Sequence, residues 1–488
     1  MKLNALLDGV SHEIIQNGGQ PEISSITIDS RVVKPGTLFI CIRGLTVDGH
    51  DYIAAAVNLG AAAILVESDD NDYPPGVFVI RVDNTRLAMA YIAANFYGNP
   101  AKKLRLVGAT GTNGKTTVTC FIEEILRSCG RSTGLIGTVG AKVNNKVMDF
   151  SFATSTTPDP LELHAILAKM VEMGVQDVVM EVSSHALALH KMEGLVFDVG
   201  VFTNLTQDHL DFHGNMDNYR LAKAQLFAQS RFGVVNIDDD STPTMVKFLC
   251  ATNDGEPYLT YGIKKQANLQ AVHIKLDSHG ATFDVASYRF TLPINGRFNV
   301  YNALAAIGTA KVLGIEMTEI REAVAKLTGV PGRIQSVPNH HGVHVLVDYA
   351  HSPDGLANII PAVRDFTAGQ VITLFGCGGD RDRTKRPIMG EIAGELSDYC
   401  ILTSDNPRTE NPQDILKEIE LGIKQTNTPY EICENRKDAI SKGVEMLKPG
   451  DALIIAGKGH EDYQIIGTTK HYFSDYETAV DILNTMKN

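Results

Sequence analysis

The residues best suited to chemistry stand together at Thr110-Gly111-Thr112-Asn113-Gly114-Lys115-Thr116-Thr117. Glycines let the backbone curl so that its N–H groups and a helix N-terminus face phosphate oxygens. Lys115 adds a mobile positive charge, and the hydroxyl of Thr116 or Thr117 can reach Mg2+. The string departs from the usual phosphate-loop spacing at one place, where Ala109 occupies the position of the first glycine. Its flanks complete the signal. Apolar Leu104 to Val107 reads as a buried parallel strand, and Phe121, Ile122, Ile125 and Leu126 recur with helical periodicity over Val118 to Ser128. Strand, glycine-rich turn and helix predict a nucleoside triphosphate site.

Other polar groups gather where apolar runs end. Val178 to Met180 runs into Glu181-Val182-Ser183-Ser184-His185, and Val199 to Leu205 runs into a loop with two His and two Asp between Asp208 and His213. Ligands collect beyond the carboxyl ends of parallel strands, which makes Glu181 a candidate for Mg2+. A loop so polar is costly to bury without a task. The hydroxyl-rich Ala153-Thr154-Ser155-Thr156-Thr157-Pro158 precedes a helix from Leu161 to Met173 and reads locally as its cap. Lys223, on a helix from Asn218 to Ala228, reads locally as a solvated lysine. Residues 230 to 295 read as β-rich segments. Asn299 and Asn302 lead into an Ala-rich helix, where they could meet a base or a phosphate, and Val330-Pro331-Gly332-Arg333 reads as a hinge.

Nearer the C-terminus, four apolar strands each end in polar residues: Asp348-Tyr349-Ala350-His351, Gly378-Gly379-Asp380-Arg381, Asp405-Asn406-Pro407-Arg408 and Gly457-Lys458-Gly459-His460-Glu461. This describes a doubly wound domain with a binding rim. Before the phosphate loop, short strands alternate with turns and one helical segment, Tyr52 to Leu59, as in a small α/β unit. Its polar clusters, Asp29-Ser30-Arg31 and Arg43-Gly44 with Asp48-Gly49-His50, read equally well as capped loops or as a site.

A chain of 488 residues exceeds one core, and its breaks predict domains at 1–100, 101–333 and 334–488. The net charge of −13 argues against broad contact with nucleic acid or anionic membrane. Seven scattered cysteines without a C-x-x-C pair predict neither a zinc site nor a disulfide framework. No stretch approaches the roughly 18 apolar residues of a membrane span, and a cytoplasmic protein is expected.

Taken in order, Thr110 to Thr117, Glu181 to His185, Asp348-Tyr349-Ala350-His351-Ser352-Pro353-Asp354-Gly355 and Asp405 to Arg408 resemble the motifs of the Mur ligase family of peptidoglycan synthesis. The resemblance spans nearly the whole chain. It implies an α/β protein with a domain for the UDP end of the substrate, a central phosphate-loop ATPase with a parallel-rich sheet, and a Rossmann-like domain for an incoming amino acid. The implied protein is a monomer that acts on small molecules. The implied reaction transfers the γ-phosphoryl group of ATP to the side-chain carboxylate of D-Glu in UDP-N-acetylmuramoyl-L-Ala-D-Glu, and the amine of meso-diaminopimelate then displaces phosphate.

The resemblance also implies residue roles. Lys115 acts in catalysis with His209 and Lys223; Glu181, His209 and Thr117 are metal ligands. Lys223 becomes a CO2-derived carbamate, an anionic Mg2+ ligand, which reverses the local reading. Thr110, Gly111, Thr112, Asn113, Gly114, Thr116, Asn299, Asn302, Arg333 and Asp348 serve ATP. Ser30, Ser155, Thr156, Thr157, Ser183, Leu189 and Lys191 serve the UDP-muramoyl dipeptide, with Leu189 at a commonly polar position and Lys191 replacing the commoner arginine. Arg381, Asp405, Asn406, Pro407, Arg408, Gly457 and Glu461 serve diaminopimelate, whose second carboxylate suits a guanidinium. Lysine-adding relatives lack the arginine at 408. The alternatives are another amide ligase, such as folylpolyglutamate synthase or a D-Ala-D-Ala-adding enzyme, and an ATP-hydrolysing regulatory protein that ligates nothing.

Overall fold

The computed structural model describes residues 1–19, 21–44, 47–68, 73–150, 156–255, 257–277 and 280–485. The chain divides into two compact units, Met1–Gln270 with Leu304–Ala323, and Ala271–Ala303 with Val324–Asn488.

The first unit opens with α1 (Leu3–Leu6), β1 (Glu13–Gln16), β2 (Ser25–Thr27), β3 (Thr37–Ile40), α2 (Ile53–Asn58), β4 (Ala61–Val66), β5 (Phe78–Arg81) and α3 (Thr85–Phe96). Their sheet has the order β1-β5-β4-β3-β2, parallel except for β1. Side chains two apart share a face of a strand. Leu38, Ile40 and Leu65 accordingly join a core with Met89 and Ile92 of α3, while Phe39, Ile64 and Val66 join another with Ile53 and Ala56 of α2.

There follow β6 (Arg105–Thr110), α4 (Lys115–Ser128), β7 (Thr133–Gly137), β8 (Gly140–Val143), β9 (Lys146–Val147), α5 (Pro160–Glu172), β10 (Asp177–Glu181), α6 (Ser184–Ala188), β11 (Phe197–Phe202), α7 (Leu210–His213), α8 (Met216–Ala228), β12 (Ser230–Asn236), α9 (Thr242–Thr252) and β13 (Tyr258–Gly262). Strand β6 lies between β11 and β10, all three parallel, with Phe202 opposite Thr110 and Glu181 opposite Ala109. This register sets three carboxyl ends side by side. Two local expectations change. The cap of α5 is Asp159, whose backbone N–H donates to Glu162 at 3.3 Å, so Thr156 and Thr157 are not its cap; Ala153, Thr154 and Ser155 lie outside the described residues. The β-rich region from 230 also contains the helix α9.

The second unit contains most of β14 (Leu269–Asp277), then β15 (Gly280–Val285) and β16 (Tyr288–Leu292), an antiparallel meander, and the start of α10 (Arg297–Val312); the rest of α10 and all but the last residue of α11 (Met317–Val324) belong to the first unit. Its principal sheet is built from β17 (Gln335–Ser336), β18 (His344–Asp348), α12 (Pro353–Arg364), β19 (Val371–Phe375), α13 (Lys385–Leu396), β20 (Tyr399–Leu402), α14 (Pro412–Ile423), β21 (Tyr430–Ile432), α15 (Arg436–Glu445) and β22 (Ala452–Ala456). A hairpin, β23 (Tyr463–Ile466) and β24 (Thr469–Tyr472), and α16 (Asp475–Thr485) complete the unit. The order β17-β18-β22-β19-β20-β21, parallel from β18 onward, brings the four polar strand ends to one edge. Apolar residues on both faces, Leu346 and Phe375 on one and Val345, Val347 and Leu374 on the other, mark a sheet covered by helices on both sides.

Candidate active site

In the first unit the chain leaves β6 through Gly111, whose φ of +154° and setting both demand glycine. A Cβ there would lie 1.8 Å from the Thr203 hydroxyl oxygen. Gly114, at φ +85°, turns the chain into α4 with Lys115 as its first residue. The end of β11 fastens this loop: Thr203 Oγ1 donates to the Asn113 carbonyl at 2.7 Å, and Asn204 accepts the Asn113 N–H at 2.9 Å on its side chain and the Thr112 N–H at 2.8 Å on its backbone. Two loop amides are thus turned toward β11. The Thr112 hydroxyl lies 3.2 Å from Tyr219 Oη, and Thr110 is buried at the strand end.

Two ammonium groups converge on one carbonyl. Lys115 Nζ donates to Gly111 O at 2.9 Å and Thr112 O at 2.8 Å, and Lys223 Nζ donates to the same Gly111 O at 2.7 Å. Lys223 is 1% exposed, so the solvated reading of it is wrong; its Nζ also sits 4.3 Å from the Tyr219 ring centroid. Burial, with the nearby Lys115 charge, holds its amine well below the ordinary lysine range.

Glu181 closes the other side. Its carboxylate accepts from Thr116 Oγ1 at 3.0 Å, Thr138 N at 2.8 Å and Thr138 Oγ1 at 3.3 Å. The hydroxyl that meets it is therefore Thr116's. Thr157 Oγ1 donates to the Glu181 carbonyl and accepts from Ser183 N, which ties residue 157 to the β10 end. His209, at φ +52°, and His213 stand around His185, with ring centroids 4.7 and 5.4 Å from it. Burial pushes the His185 imidazole down to about 4. Lys191 pairs with Asp159 at 2.8 Å.

Lys115, Thr156, Thr157, Ser183, Ser184, His185, Lys191, His209, Tyr219 and Lys223 line one cavity of about 280 Å3. Leu189 and Ser30 do not line it. Leu189 caps α6 through its N–H to the His185 carbonyl, and Ser30 begins a short turn capped by Asp29. Among the described residues no three or more His, Cys, Asp or Glu side chains are grouped to hold a metal. A divalent ion here would need hydroxyl, phosphate and water oxygens beside Glu181, the usual Mg2+ set.

In the second unit, Asn299 and Asn302 are buried in α10, where Asn302 Nδ2 donates to Asn299 Oδ1 at 3.0 Å. Asp348, at the end of β18, accepts from Ile334 N and Ala350 N, both at 2.8 Å, while burial raises its carboxyl. The Arg333 guanidinium lies 5.1 Å from the Tyr349 ring centroid. At the β20 and β22 ends, buried Lys458 Nζ reaches Asn406 Oδ1 at 3.1 Å, Glu461 at 3.5 Å and Asp405 at 3.8 Å, and Asn406 Nδ2 donates to Glu461 at 3.1 Å. Gly457, at φ +117°, leaves only 2.7 Å between a would-be Cβ and Asp405 Oδ2. Arg408, at φ +51°, follows Pro407 and donates through Nη1 to the Gly379 carbonyl at 2.8 Å. Exposed Arg381 is also beside Gly378, where a Cβ would lie 2.9 Å from Arg408 Nη1 and 3.8 Å from Arg381 Cγ. Thr138, Thr203, Asn204 and Tyr219 do not stand out in the sequence as site residues, because no short motif marks them and only the fold brings Thr138 to Glu181 and Thr203, Asn204 and Tyr219 to the loop.

Three family models match in order: "Mur ligase family, catalytic domain" over residues 22–97, "Mur ligase middle domain" over 109–310, and "Mur ligase, glutamate ligase domain" over 332–459. A Caldanaerobacter subterraneus protein named UDP-N-acetylmuramoyl-L-alanyl-D-glutamate--2,6-diaminopimelate ligase is 46% identical, covering 99% of each chain. A Lactiplantibacillus plantarum protein of the same name is 45% identical over 95% of this chain and 94% of its own. A solved structure of a ligase with that name superposes with a TM-score of 0.69 at 32% identity, covering 95% of each chain. MurF from Thermotoga maritima, solved in complex with ADP, shares the fold at a TM-score of 0.58 and 18% identity. Since these matches run across the phosphate loop, the polar strand ends and nearly all of the chain between them, the chain belongs to the Mur ligase family.

Proposed function

We infer that this chain is the ATP-dependent ligase that joins meso-diaminopimelate to the D-Glu side-chain carboxylate of UDP-N-acetylmuramoyl-L-Ala-D-Glu, in cytoplasmic peptidoglycan precursor synthesis. The observation that carries the reading is the convergence of Lys115 and Lys223 on the Gly111 carbonyl in a cavity also lined by Thr157, Ser183, Lys191 and His209. A carboxylate is a poor electrophile, so the γ-phosphoryl group of ATP is first passed to it, giving an acyl phosphate. Lys115 exchanges its loop carbonyls for phosphate oxygens as charge moves toward the leaving ADP. The diaminopimelate amine then attacks the acyl carbon, and phosphate leaves.

Bound Mg2+ would neutralise phosphate charge, and we assign Glu181, His209 and Thr117 to it, with Thr116, whose hydroxyl donates to Glu181 at 3.0 Å, as the alternative hydroxyl. We assign Lys223 to the same ion as a carbamate. The neutral amine is the form that adds CO2, burial shifts Lys223 toward it, and the product is an oxygen ligand in place of a cation. Asn299, Asn302, Arg333 and Asp348 are assigned to the nucleotide, and Ser30 to the UDP end. Arg408, helped by Arg381, holds the distal carboxylate of diaminopimelate, Gly457 and Glu461 hold its ammonium and carboxylate end, and Asp405, Asn406 and Pro407 complete the site. We assign domains 1–100, 101–333 and 334–488 to the UDP end, ATP and the amino acid, in a monomer.

The test is ATP-dependent phosphate release with UDP-N-acetylmuramoyl-L-Ala-D-Glu and meso-diaminopimelate, L-lysine or no amino acid. Release with diaminopimelate alone is expected. Preference for L-lysine would overturn the assignment of the amino acid, and release without any amino acid would turn the reading to an ATPase.

A further inference from the structure

Arg386, in the first turn of α13, has a fully buried side chain. Its Nη1 and Nη2 donate to the two carboxylate oxygens of Glu410 at 3.0 and 2.8 Å, Nη1 donates to Glu418 at 2.8 Å, and Nη2 donates to the Gly378 carbonyl at 3.3 Å. Glu410 in turn accepts the Asp380 N–H at 2.6 Å, and its own N–H donates to the Pro407 carbonyl at 3.1 Å. One ion pair therefore touches both turns that carry the guanidinium groups assigned to diaminopimelate, the turn after β19 ending in Arg381 and the turn after β20 ending in Arg408.

The two turns approach too closely to be set by contact with solvent. Gly379 N donates to the Asn406 carbonyl at 2.9 Å, a Cβ on Gly379 would lie 1.9 Å from the Pro407 carbonyl oxygen, and the Asp380 carboxylate accepts from Thr409 Oγ1 at 2.8 Å. Asp380 and Arg408 both hold left-handed backbone, at φ +55° and +51°, a state that L side chains enter only when their surroundings impose it. Arg386 also carries an Nε with no partner. Apolar residues often stabilise such a site as well as a buried ion pair does, so the charge is better explained by geometry than by stability.

We propose that Arg386 and Glu410 are positioning residues for amino-acid recognition: they lock the 378–381 turn to the 406–410 turn and so fix the separation and direction of the Arg381 and Arg408 guanidinium groups. The proposal rests on the reading that these two groups grip the distal carboxylate of diaminopimelate. With the pair broken, the guanidinium groups separate, and the carboxylate that distinguishes diaminopimelate from L-lysine loses its matched partners.

Full-length Arg386→Lys, Glu410→Gln and the double Arg386→Met/Glu410→Met variants test this through steady-state kinetics for each substrate in turn. Glu410→Gln should raise the diaminopimelate KM about 10-fold or more, with the KM values for ATP and the UDP-muramoyl dipeptide within about 2-fold of wild type. Arg386→Lys, which keeps the charge but loses the fork, should fall between. The double variant leaves no unpaired charge at 386 or 410, and Glu418 keeps its bond to Arg383; it should recover thermal stability but not the diaminopimelate KM. Equal changes in all three KM values, or recovery of the diaminopimelate KM with stability in the double variant, would reduce the pair to a structural role and overturn the proposal. Arg408→Ala run alongside separates the two layers: if it leaves the diaminopimelate KM unchanged, the recognition reading itself has failed.

Discussion

Lys223 shows how little a residue's type says without its surroundings. On an exposed helix face it would carry a full charge, whereas here its Nζ lies between the Gly111 carbonyl and the Tyr219 ring with Lys115 close by. A cation so placed lacks a carboxylate partner of its own, and removing a charge from water without one is strongly unfavourable. The carbamate proposed above would resolve this by turning the cation into an anion beside Lys115. The expected outcome is that Lys223→Ala loses nearly all ligase activity, a fall of about 100-fold or more, and that formate or acetate restores part of it by supplying a carboxylate to the vacated space. If Lys223→Ala is inactive and no short carboxylic acid helps, the carbamate assignment fails. Glu181 is the opposite case, a buried carboxylate satisfied by three donors from Thr116 and Thr138 and legible in the sequence as a strand-terminal acid.

At the scale of elements, the site is a consequence of parallel strands. Setting β6 between β10 and β11 places Glu181, the phosphate loop and Thr203 at neighbouring carboxyl ends, so residues far apart in sequence meet without any long-range motif. The loop's shape depends on β11 as much as on its own glycines. Gly111→Ala would set a methyl 1.8 Å from Thr203 Oγ1 and force a side chain into φ +154°. The loop must then shift, at a cost of about 1–3 kcal/mol in backbone strain. Calorimetric titration should show ATP affinity reduced by about 10-fold or more; unchanged affinity would mean that the loop can move away from β11 without consequence. The hairpin of β23 and β24 plays a similar part for Arg408, whose backbone N–H and carbonyl pair with Ile465 and Gly467, while Gln464 Nε2 donates to the Asp405 carbonyl at 2.6 Å. Nothing in the sequence from 463 to 472 announced this, because main-chain pairing carries no side-chain signature.

For the molecule as a whole, one buried group links folding to pH. His164 on α5 is 2% exposed, its Nδ1 has no partner, and burial pushes its imidazole down to about 4 from an ordinary value of 6.5. The folded chain keeps this ring neutral while the unfolded chain protonates it below pH 6.5. Its contribution to stability is therefore full above pH 6.5 and is lost as pH falls toward 4, by up to about 3 kcal/mol. The melting temperature of wild type should accordingly fall more steeply between pH 7 and 5 than that of His164→Leu, and parallel curves would show that the ring titrates normally. Among the described residues no helix is long and apolar enough to cross a membrane.

The sequence by itself determined the local chemistry. The phosphate loop, the strand-terminal Glu181, the four polar strand ends of the C-terminal region and the α/β class all rest on contiguous residues, whose glycine spacing and hydrophobic period act over one or two elements. The tertiary structure alone decided what depends on register and burial: that Lys223 is buried beside Lys115, that Thr116 meets Glu181, that Thr203 and Asn204 hold the loop, and that Arg386 with Glu410 joins two turns. The physical reason is the range of the forces involved. Backbone propensity and periodicity are set by neighbours in the chain, whereas desolvation and the pairing of a buried charge are set by whatever the fold brings alongside.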